Sequence, residues 1–170
     1  FDQNVNLNNQ QGVIKEIFKN TDINQDIAFE KGPVDILDHS SNEQGFGSKM
    51  MIDASRQRNF VYDISDAQID RVKTYFPSDD QINLDFLKDN IPLIISSVKS
   101  TEKVNDFENL LDQGKFYNFI KVVVLVEDDL DIHDISLITW YVAANIDPQR
   151  DCRILEFEGN TMLLIDGTRK

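Results

Sequence analysis

The sequence predicts an α/β fold, with a layered, mostly parallel sheet flanked by helices. Residues 92–98 and 121–127 are short, β-branched and apolar on both faces, as parallel strands covered by helices are. Between them lies a helical pattern, which completes a strand-helix-strand unit. The spacing N-x-D-x-x-x-D occurs at residues 20–26 and again at 145–151, each time between a helical pattern and an apolar stretch. The fold is therefore expected to contain two related strand-helix-strand units.

The first half of the chain begins with a predicted helix over residues 9–19, for which Asn8 is the expected N-cap. Short strands are expected at 27–29 and 50–55, separated by a polar loop rich in glycine. Ser65 and Gln68 then form a capping box at the start of a helix that carries Ile69, Val72 and Tyr75 on one face and ends near Pro77.

The second half shows clearer element boundaries. A helix is predicted over residues 105–114, with Asn105 as its cap and Gly114 as its stop. Asp134 is expected to cap a helix that is followed by strands at 152–157 and 162–166. These two strands are separated by a tight turn, so mixed strand directions are expected there.

Length and charge limit the classes of function. The 170 residues include 41% hydrophobic positions and predict one domain over 1–170. Lysine and arginine number 17 against 30 aspartates and glutamates, a net charge of −13. Such a chain repels phosphate backbones and anionic lipid, so no nucleic-acid partner is expected. The longest apolar run, "VVVLV", predicts no integral membrane segment and a cytoplasmic protein.

The repeated spacing indicates an internal duplication. When residue 1 is set against residue 126, the two motifs coincide, and "SKMMIDASRQ" later meets "TMLLIDGTRK". The predicted copies cover about 1–57 and 121–170, joined by a helix and a β-α unit at 58–120. In each copy the Asn is expected to end a helix in the left-handed conformation, while the Asp carboxylates accept backbone N–H groups. The alternative is a duplicated carboxylate site for a metal.

Two further features each allow two interpretations. The acidic segment at residues 127–134 has the spacing of a hard-cation site or is a solvated strand-to-helix turn. Cys152, the single cysteine, suits either a buried strand position or a reactive thiol.

The segment "KVVVLVEDDLDIHDISLITWYVAANIDPQRD" (121–151) resembles the C-terminal region of UbiD-type decarboxylases, which include 3-polyprenyl-4-hydroxybenzoate decarboxylase. "PVDILDHSSNEQGFGSKMMIDAS" (33–55) is similar to the family's segment that leads into its G-S-K-M-G-[IL]-D-A-T motif. In the family the D-P-x-R-D element is expected before the S-K-M element, whereas here S-K-M comes first. The duplication accounts for this order.

The resemblance implies reversible, non-oxidative decarboxylation of an aromatic or α,β-unsaturated acid, such as the polyprenyl-hydroxybenzoate of ubiquinone biosynthesis. It also implies prenylated FMN, a divalent metal (Mn or Mg) and potassium in the full-length enzyme. Catalytic, cofactor-binding and metal-binding residues are expected in upstream domains and not in this chain. We therefore expect a fragment that is inactive alone, consistent with a first residue, Phe1, that is not Met.

The family's C-terminal domain implies a role as lid and oligomer contact. The lid loop corresponds to Pro33, Val34, Ile36 and Leu37, which are expected to line the substrate pocket or, alternatively, to fill this domain's own core. Expected partners are the protein's own N-terminal and flavin-binding domains and further copies in a homo-oligomer. A stand-alone α/β interaction or assembly module without enzymatic activity is the alternative.

Overall fold

The computed structural model describes residues 5–35, 40–76, 81–99 and 104–168. The helices are α1 (Gln10–Asn20), α2 (Ile23–Asp26), α3 (Asp66–Tyr75), α4 (Asp85–Lys88), α5 (Val104–Gly114), α6 (Ile135–Asn145) and α7 (Pro148–Asp151), with a 3-10 turn at Phe116–Asn118. The strands are β1 (Ile27–Pro33), β2 (Phe46–Ile52), β3 (Ile82–Asn83), β4 (Leu93–Val98), β5 (Val122–Glu127), β6 (Cys152–Phe157) and β7 (Asn160–Asp166).

Five of the described strands form one sheet in the order β3-β4-β5-β7-β6. The central pairs, β4 with β5 and β5 with β7, are parallel, whereas β3 and β6 are antiparallel edge strands. The sheet as a whole is mixed: β4 and β5 are parallel and β6 and β7 run in opposite directions, both as expected, whereas the antiparallel strand β3 was not predicted. The β6–β7 connection is a tight turn in which Glu158 and Gly159 have φ values of 45° and 82°, which forces the two strands to run antiparallel.

Helices and a hairpin cover both faces of this sheet, because successive strand residues point to opposite sides. On one face Ile94, Val123 and Leu164 join a core with Val72 of α3 and Leu111 of α5. The opposite face carries Ile95 and Val124 from the same strands and Leu163 from β7, and it is covered by α1, α6 and the first hairpin. Because both faces of the sheet are covered, these strands are continuous apolar runs in the sequence.

Strands β1 and β2 form a separate two-stranded antiparallel sheet, with Ile27 opposite Ile52 and Pro33 opposite Phe46. This hairpin extends the expected strands into the glycine-rich region. The second N-x-D-x-x-x-D segment also leads into a hairpin, but that hairpin belongs to the main sheet. A duplicated strand-helix-strand unit is therefore not confirmed.

Most predicted helices are present, with small changes at their caps. The capping box of Ser65 and Gln68 and the Asp134 cap are confirmed. Helix α1 is capped by Asn9 instead of Asn8, and the described part of α5 already includes Val104, so Asn105 lies within the helix. The four-residue helices were not predicted because such a short segment shows no periodicity.

Candidate functional site

The first N-x-D-x-x-x-D segment surrounds a buried carboxylate. The backbone N–H of Asp22 donates to Asp26 Oδ2 at 2.8 Å, and Arg58 donates from Nε at 2.6 Å and from Nη2 at 2.8 Å. Nη1 of Arg56 lies 3.5 Å from Oδ1 of Asp26. The hydrogen bond from Arg58 is the largest influence on this carboxyl, and it lowers the pKa of Asp26 to about 2 although burial opposes the change. Asp26 is therefore an ionised, fully paired structural group.

The second segment repeats this arrangement with a different arginine. Asp147 N–H donates to Asp151 Oδ2 at 2.8 Å, while Arg150 donates to both carboxylate oxygens of Asp151 at 2.7 Å. Asp151 is 2% exposed. Arg150 Nη1 also donates to Asn42 Oδ1 at 2.8 Å, and Asn42 lies between β1 and β2. The second motif thus reaches the loop of the first hairpin.

Ser48 of β2 connects that hairpin to the N-terminal end of α7. Its hydroxyl is hydrogen-bonded to the carboxylate of Asp147, and it accepts the N–H of Gln149 at 2.8 Å. In α2, by contrast, the carboxylate of Asp22 itself accepts the N–H of Asn24 at 2.9 Å. At α7 the side chain of Ser48 takes this capping position, so the hairpin and the helix are joined through buried polar groups.

The loop between β1 and β2, residues 34–45, is called the hairpin loop below. Pro33 is exposed at its start, Val34 is half-buried, and Val34 N–H donates to Gly45 O at 3.1 Å. The other predicted pocket residues, Ile36 and Leu37, lie outside the described residues. Their role, and that of Pro33 and Val34, stays a prediction.

A depression of about 290 Å³ lies between the hairpin loop and α7. Its lining is mainly polar and charged: Lys31, Ser41, Asn42, Glu43, Asp147, Gln149 and Arg150. Among the described residues of the loop, Ser41, Asn42 and Glu43 line this polar depression.

The two asparagines of the motifs do not adopt the expected left-handed conformation. Asn20 and Asn145 are the last residues of α1 and α6, and among the described non-glycine residues a positive φ occurs at Asn59, Asn90, Lys115 and Glu158. Each motif asparagine instead donates from Nδ2 to the carbonyl four residues earlier, at 3.2 Å for Glu16 and 2.7 Å for Tyr141. They therefore close the last helical turn with side-chain hydrogen bonds.

The acidic segment at 127–134 behaves as a turn. Asp131 Oδ1 accepts His133 N–H at 2.9 Å, and Asp134 accepts the N–H of Leu137 at 3.0 Å. Within 5–35, 40–76, 81–99 and 104–168, no cluster of three or more histidine, cysteine, aspartate or glutamate side chains has the arrangement needed to hold a metal. The side chains of the described residues therefore do not fit the implied divalent metal.

Cys152 is 8% exposed at the start of β6. Burial raises the pKa of this thiol to about 12, and the nearby aspartates raise it further in the same direction. Because the thiolate is the nucleophilic form, the buried-strand interpretation fits Cys152 and the reactive interpretation does not.

The structure is a mixed α/β domain in which buried polar groups join the first hairpin to helix α7. A family model described as "3-octaprenyl-4-hydroxybenzoate carboxy-lyase C-terminal domain" matches residues 1–54 and 67–167. The chain belongs to this family, that of the C-terminal domains of UbiD-type decarboxylases. The resemblance stated from residues 33–55 and 121–151 is confirmed.

Relatives with similar sequences are longer than this chain. An uncharacterized protein of Helicobacter pylori strain J99 is 28% identical over 154 residues, which are 86% of this chain and 24% of that protein. An uncharacterized protein of Aquifex aeolicus is 44% identical over 55 residues, or 32% of this chain and 11% of that protein. The chain thus spans about a quarter or less of these relatives.

Solved structures similar to the chain come from a decarboxylase and from a UbiD-class enzyme. The open form of vanillic acid decarboxylase from Sedimentibacter hydroxybenzoicus gives a TM-score of 0.46 at 18% identity, covering 59% of this chain and 25% of that chain. An evolved dimeric form of the UbiD-class enzyme HmfF from Pelotomaculum thermopropionicum, in complex with prFMN, gives 0.45 at 16% identity, covering 86% and 38%. None of the described helices is long and apolar enough to cross a membrane.

The sequence did not indicate the residues that hold the site together. Arg58 is 32 positions from Asp26, and Ser48 is 99 positions from Asp147, so no short motif relates them. Only Arg150, adjacent to Asp151 within D-P-x-R-D, was visible as part of a pattern. The carboxylates of Asp22, Asp26 and Asp151 accept backbone N–H groups as predicted, whereas the carboxylate of Asp147 is bonded to the hydroxyl of Ser48.

Proposed function

We propose that the chain is the C-terminal lid and oligomerisation domain of a carboxy-lyase that decarboxylates an aromatic or α,β-unsaturated acid. Its membership of the UbiD C-terminal family supports this proposal. The structural observation that carries it is the anchoring of the hairpin loop. Arg150 is bonded to Asn42 of the loop, and Ser48 joins the following strand to α7. These bonds hold residue 42 and the start of β2 beside α7, and we propose that the loop presents a defined surface to the substrate.

Such a surface would act by shape. When an apolar wall closes over a reacting acid, it excludes water and strengthens the electrostatic stabilisation of the charge that develops as CO₂ leaves. Pro33 and Val34, with Ile36 and Leu37, are the proposed wall. The chain itself would contribute neither acid nor base.

In the proposed full-length enzyme, prenylated FMN supplies the electron sink for decarboxylation, and a divalent metal (Mn or Mg) and potassium accompany it. Their ligands are assigned to the protein's own N-terminal and flavin-binding domains. Polyprenyl-hydroxybenzoate is one candidate acid because the family description names the octaprenyl compound. The proposed location is the cytoplasm.

The experiment that tests this proposal starts from the coding sequence. Reading the DNA upstream of the Phe1 codon should show an open frame of several hundred codons, and the protein it encodes should decarboxylate an aromatic or unsaturated acid when it is loaded with prenylated FMN. A start codon immediately before Phe1 would contradict it and would favour a stand-alone interaction module.

A pair of variants in that full-length protein then tests the lid. Val34→Asp should lower kcat/KM by about tenfold or more, because a charge on the wall admits water. Val61→Asp is the matched control, since Val61 is 89% exposed and lies outside the hairpin loop. Equal activity of the two variants, with unchanged melting temperatures, would remove the hairpin loop from the active-site wall.

A further inference from the structure

A large cavity lies between α1 and the sheet, away from the hairpin loop. Its volume is about 620 Å³, against 290 Å³ for the depression beside α7. Small-molecule sites in proteins typically measure about 300–1,000 Å³ and are mostly apolar. We call it the α1 cavity; its apolar lining includes Ile14, Ile17, Phe18, Met50, Leu163 and Ile165.

The cavity exists because the two faces of the sheet are covered unequally. On the face of α3 and α5, the aromatic rings of Phe116 and Tyr117 are fully buried and fill the space. On the other face Ile14, Ile17 and Phe18 of α1 are all half-buried, and all three line the cavity. An apolar molecule that filled this space would remove apolar surface from water, which is favourable.

One cation lies at the edge of this apolar space. Lys121 immediately precedes β5, and its Nζ donates to the carbonyl of Tyr117 at 3.2 Å and to Asn160 Oδ1 at 3.4 Å. Both acceptors are neutral. Among the ion pairs formed by described residues, none with an N–O distance within 4.0 Å involves Lys121. Burial lowers the pKa of Lys121, and the negative charge of Asp22 opposes this change.

Lys121 is half-buried and, among the described residues, has no ion-pair partner within 4.0 Å, although the net charge of the chain is −13. The energetic cost of its position is recovered when an anion binds beside it. Asp22 also lines the cavity, where its carboxylate accepts the N–H of Asn24. This second charge disfavours a ligand with more than one negative group.

From this combination we infer that the α1 cavity binds an apolar monocarboxylic acid. The hydrocarbon part packs between α1 and the sheet, next to Ile17 and Leu163, and the carboxylate accepts a hydrogen bond from Lys121 Nζ. Thr161, which also lines the cavity and accepts Asn24 Nδ2 at 2.6 Å, supplies a polar neighbour at the same end. This inference does not rest on the proposed function, because it uses only residues of this chain.

The test is a titration of the 170-residue chain with decanoate and with decanamide, an uncharged analogue of nearly the same shape. Isothermal titration calorimetry, below the aggregation concentration of the ligands, should give one site and at least about tenfold tighter binding of decanoate, the value of one charge-assisted hydrogen bond. NMR shift changes should fall on residues that line the α1 cavity.

Variants test the contribution of the Lys121 charge separately from that of the cavity volume. Lys121→Met should reduce the affinity for decanoate to that for decanamide, whereas Lys121→Arg should keep most of the preference. Ile17→Trp should block both ligands by filling the space. Lys73→Met is the matched control, because Lys73 is an exposed lysine on α3, on the other side of the sheet.

Several results would overturn the inference. These are an absence of decanoate binding, equal affinity of the unaltered chain for decanoate and decanamide, or shift changes confined to residues outside the cavity. Unchanged decanoate affinity in Lys121→Met would also overturn it. If Lys121→Met fails to fold, as judged by circular dichroism, the decanoate-to-decanamide ratio of the unaltered chain decides the question.

Discussion

Two buried aspartates occupy comparable positions, but their arginine partners come from different parts of the chain. Asp26 is paired with Arg58 from beyond β2, whereas Asp151 is paired with the adjacent Arg150. A buried carboxylate that loses its partner is left uncompensated in a poorly solvated environment. The arginines therefore hold the segments around α2 and α7 in place, and the Asp26 pair can be tested directly.

Replacing Arg58 should destabilise the domain more than replacing Arg56. The Arg58 side chain is 20% exposed and 2.6 Å from Asp26, while that of Arg56 is 60% exposed and 3.5 Å away. Arg58→Gln should lower the melting temperature by roughly 5–10 °C, and Arg56→Gln should change it little. Thermal denaturation followed by circular dichroism measures both. Equal shifts would mean that Asp26 does not depend on Arg58.

The same pair predicts a pH dependence with a definite sign. The pKa of Asp26 is lowered from 3.8 to about 2 in the folded protein, so its contribution to the free energy of unfolding is fully present above about pH 4. It is lost as the pH falls towards 2, because the unfolded chain binds the proton first. The stability difference between the unaltered chain and Asp26→Asn should therefore shrink over this interval in urea denaturation. A constant difference would contradict the assignment.

At this scale the sequence predicted the roles of the acidic residues better than those of the asparagines. Carboxylates four positions apart at a helix-strand junction have few uses besides accepting backbone N–H groups, so their role followed from spacing. The asparagines had two local options, a left-handed backbone or a side-chain bond to the preceding turn, and Asn20 and Asn145 adopt the second.

At the scale of elements, the first hairpin is the part whose position the sequence did not determine. Strands β1 and β2 pair with each other and not with the main sheet, so their place depends on contacts to α7 and the covered sheet face. Ser48 is central to those contacts, since it occupies the N-terminal end of α7 beside Asp147. Hydrogen bonds between residues so far apart along the chain leave no periodic pattern in the sequence.

Removing the Ser48 hydroxyl should loosen the hairpin. Ser48→Ala leaves the buried Asp147 carboxylate and the Gln149 N–H without this partner, at a cost of about 1–3 kcal/mol. Amide hydrogen exchange should therefore accelerate in β1 and β2 more than in β4 and β5. Ser136→Ala, at an exposed position of α6, is the matched control. Uniform acceleration across all strands would show that Ser48 supports the whole domain and not the hairpin alone.

For the whole molecule, the centre of the sheet and its β6 edge were predictable, and its β3 edge was not. Strands β4 and β5 are apolar on both faces because helices or the hairpin cover both, and this leaves a clear pattern. The edge strand β3 has only two residues, Ile82 and Asn83, which is too short to alternate. The mixed direction of the sheet follows from this edge and from the β6–β7 turn.

The outer face of α6 is the proposed surface for association between copies. Helix α6 carries no charged residue, and Trp140 on it is 67% exposed. An exposed tryptophan on an uncharged helix face is typical of an interface anchor. Sedimentation should detect a concentration-dependent oligomer whose dissociation constant rises at least about tenfold in Trp140→Glu.

The control for this prediction is Val61→Glu, which places the same charge at another exposed apolar residue, 89% exposed. It should leave the oligomer unchanged. A chain that stays monomeric at all concentrations would contradict association through α6.

The order of strands in the main sheet has a consequence for synthesis. β7 follows every other described strand in the sequence, yet it lies between β5 and β6 inside the sheet. On the ribosome, β4 and β5 can pair as soon as both have emerged, but the far side of β5 stays open until β7 is released from the exit tunnel. Until β7 emerges, a nascent chain whose β5 has left the tunnel should therefore expose an apolar strand edge and recruit chaperones.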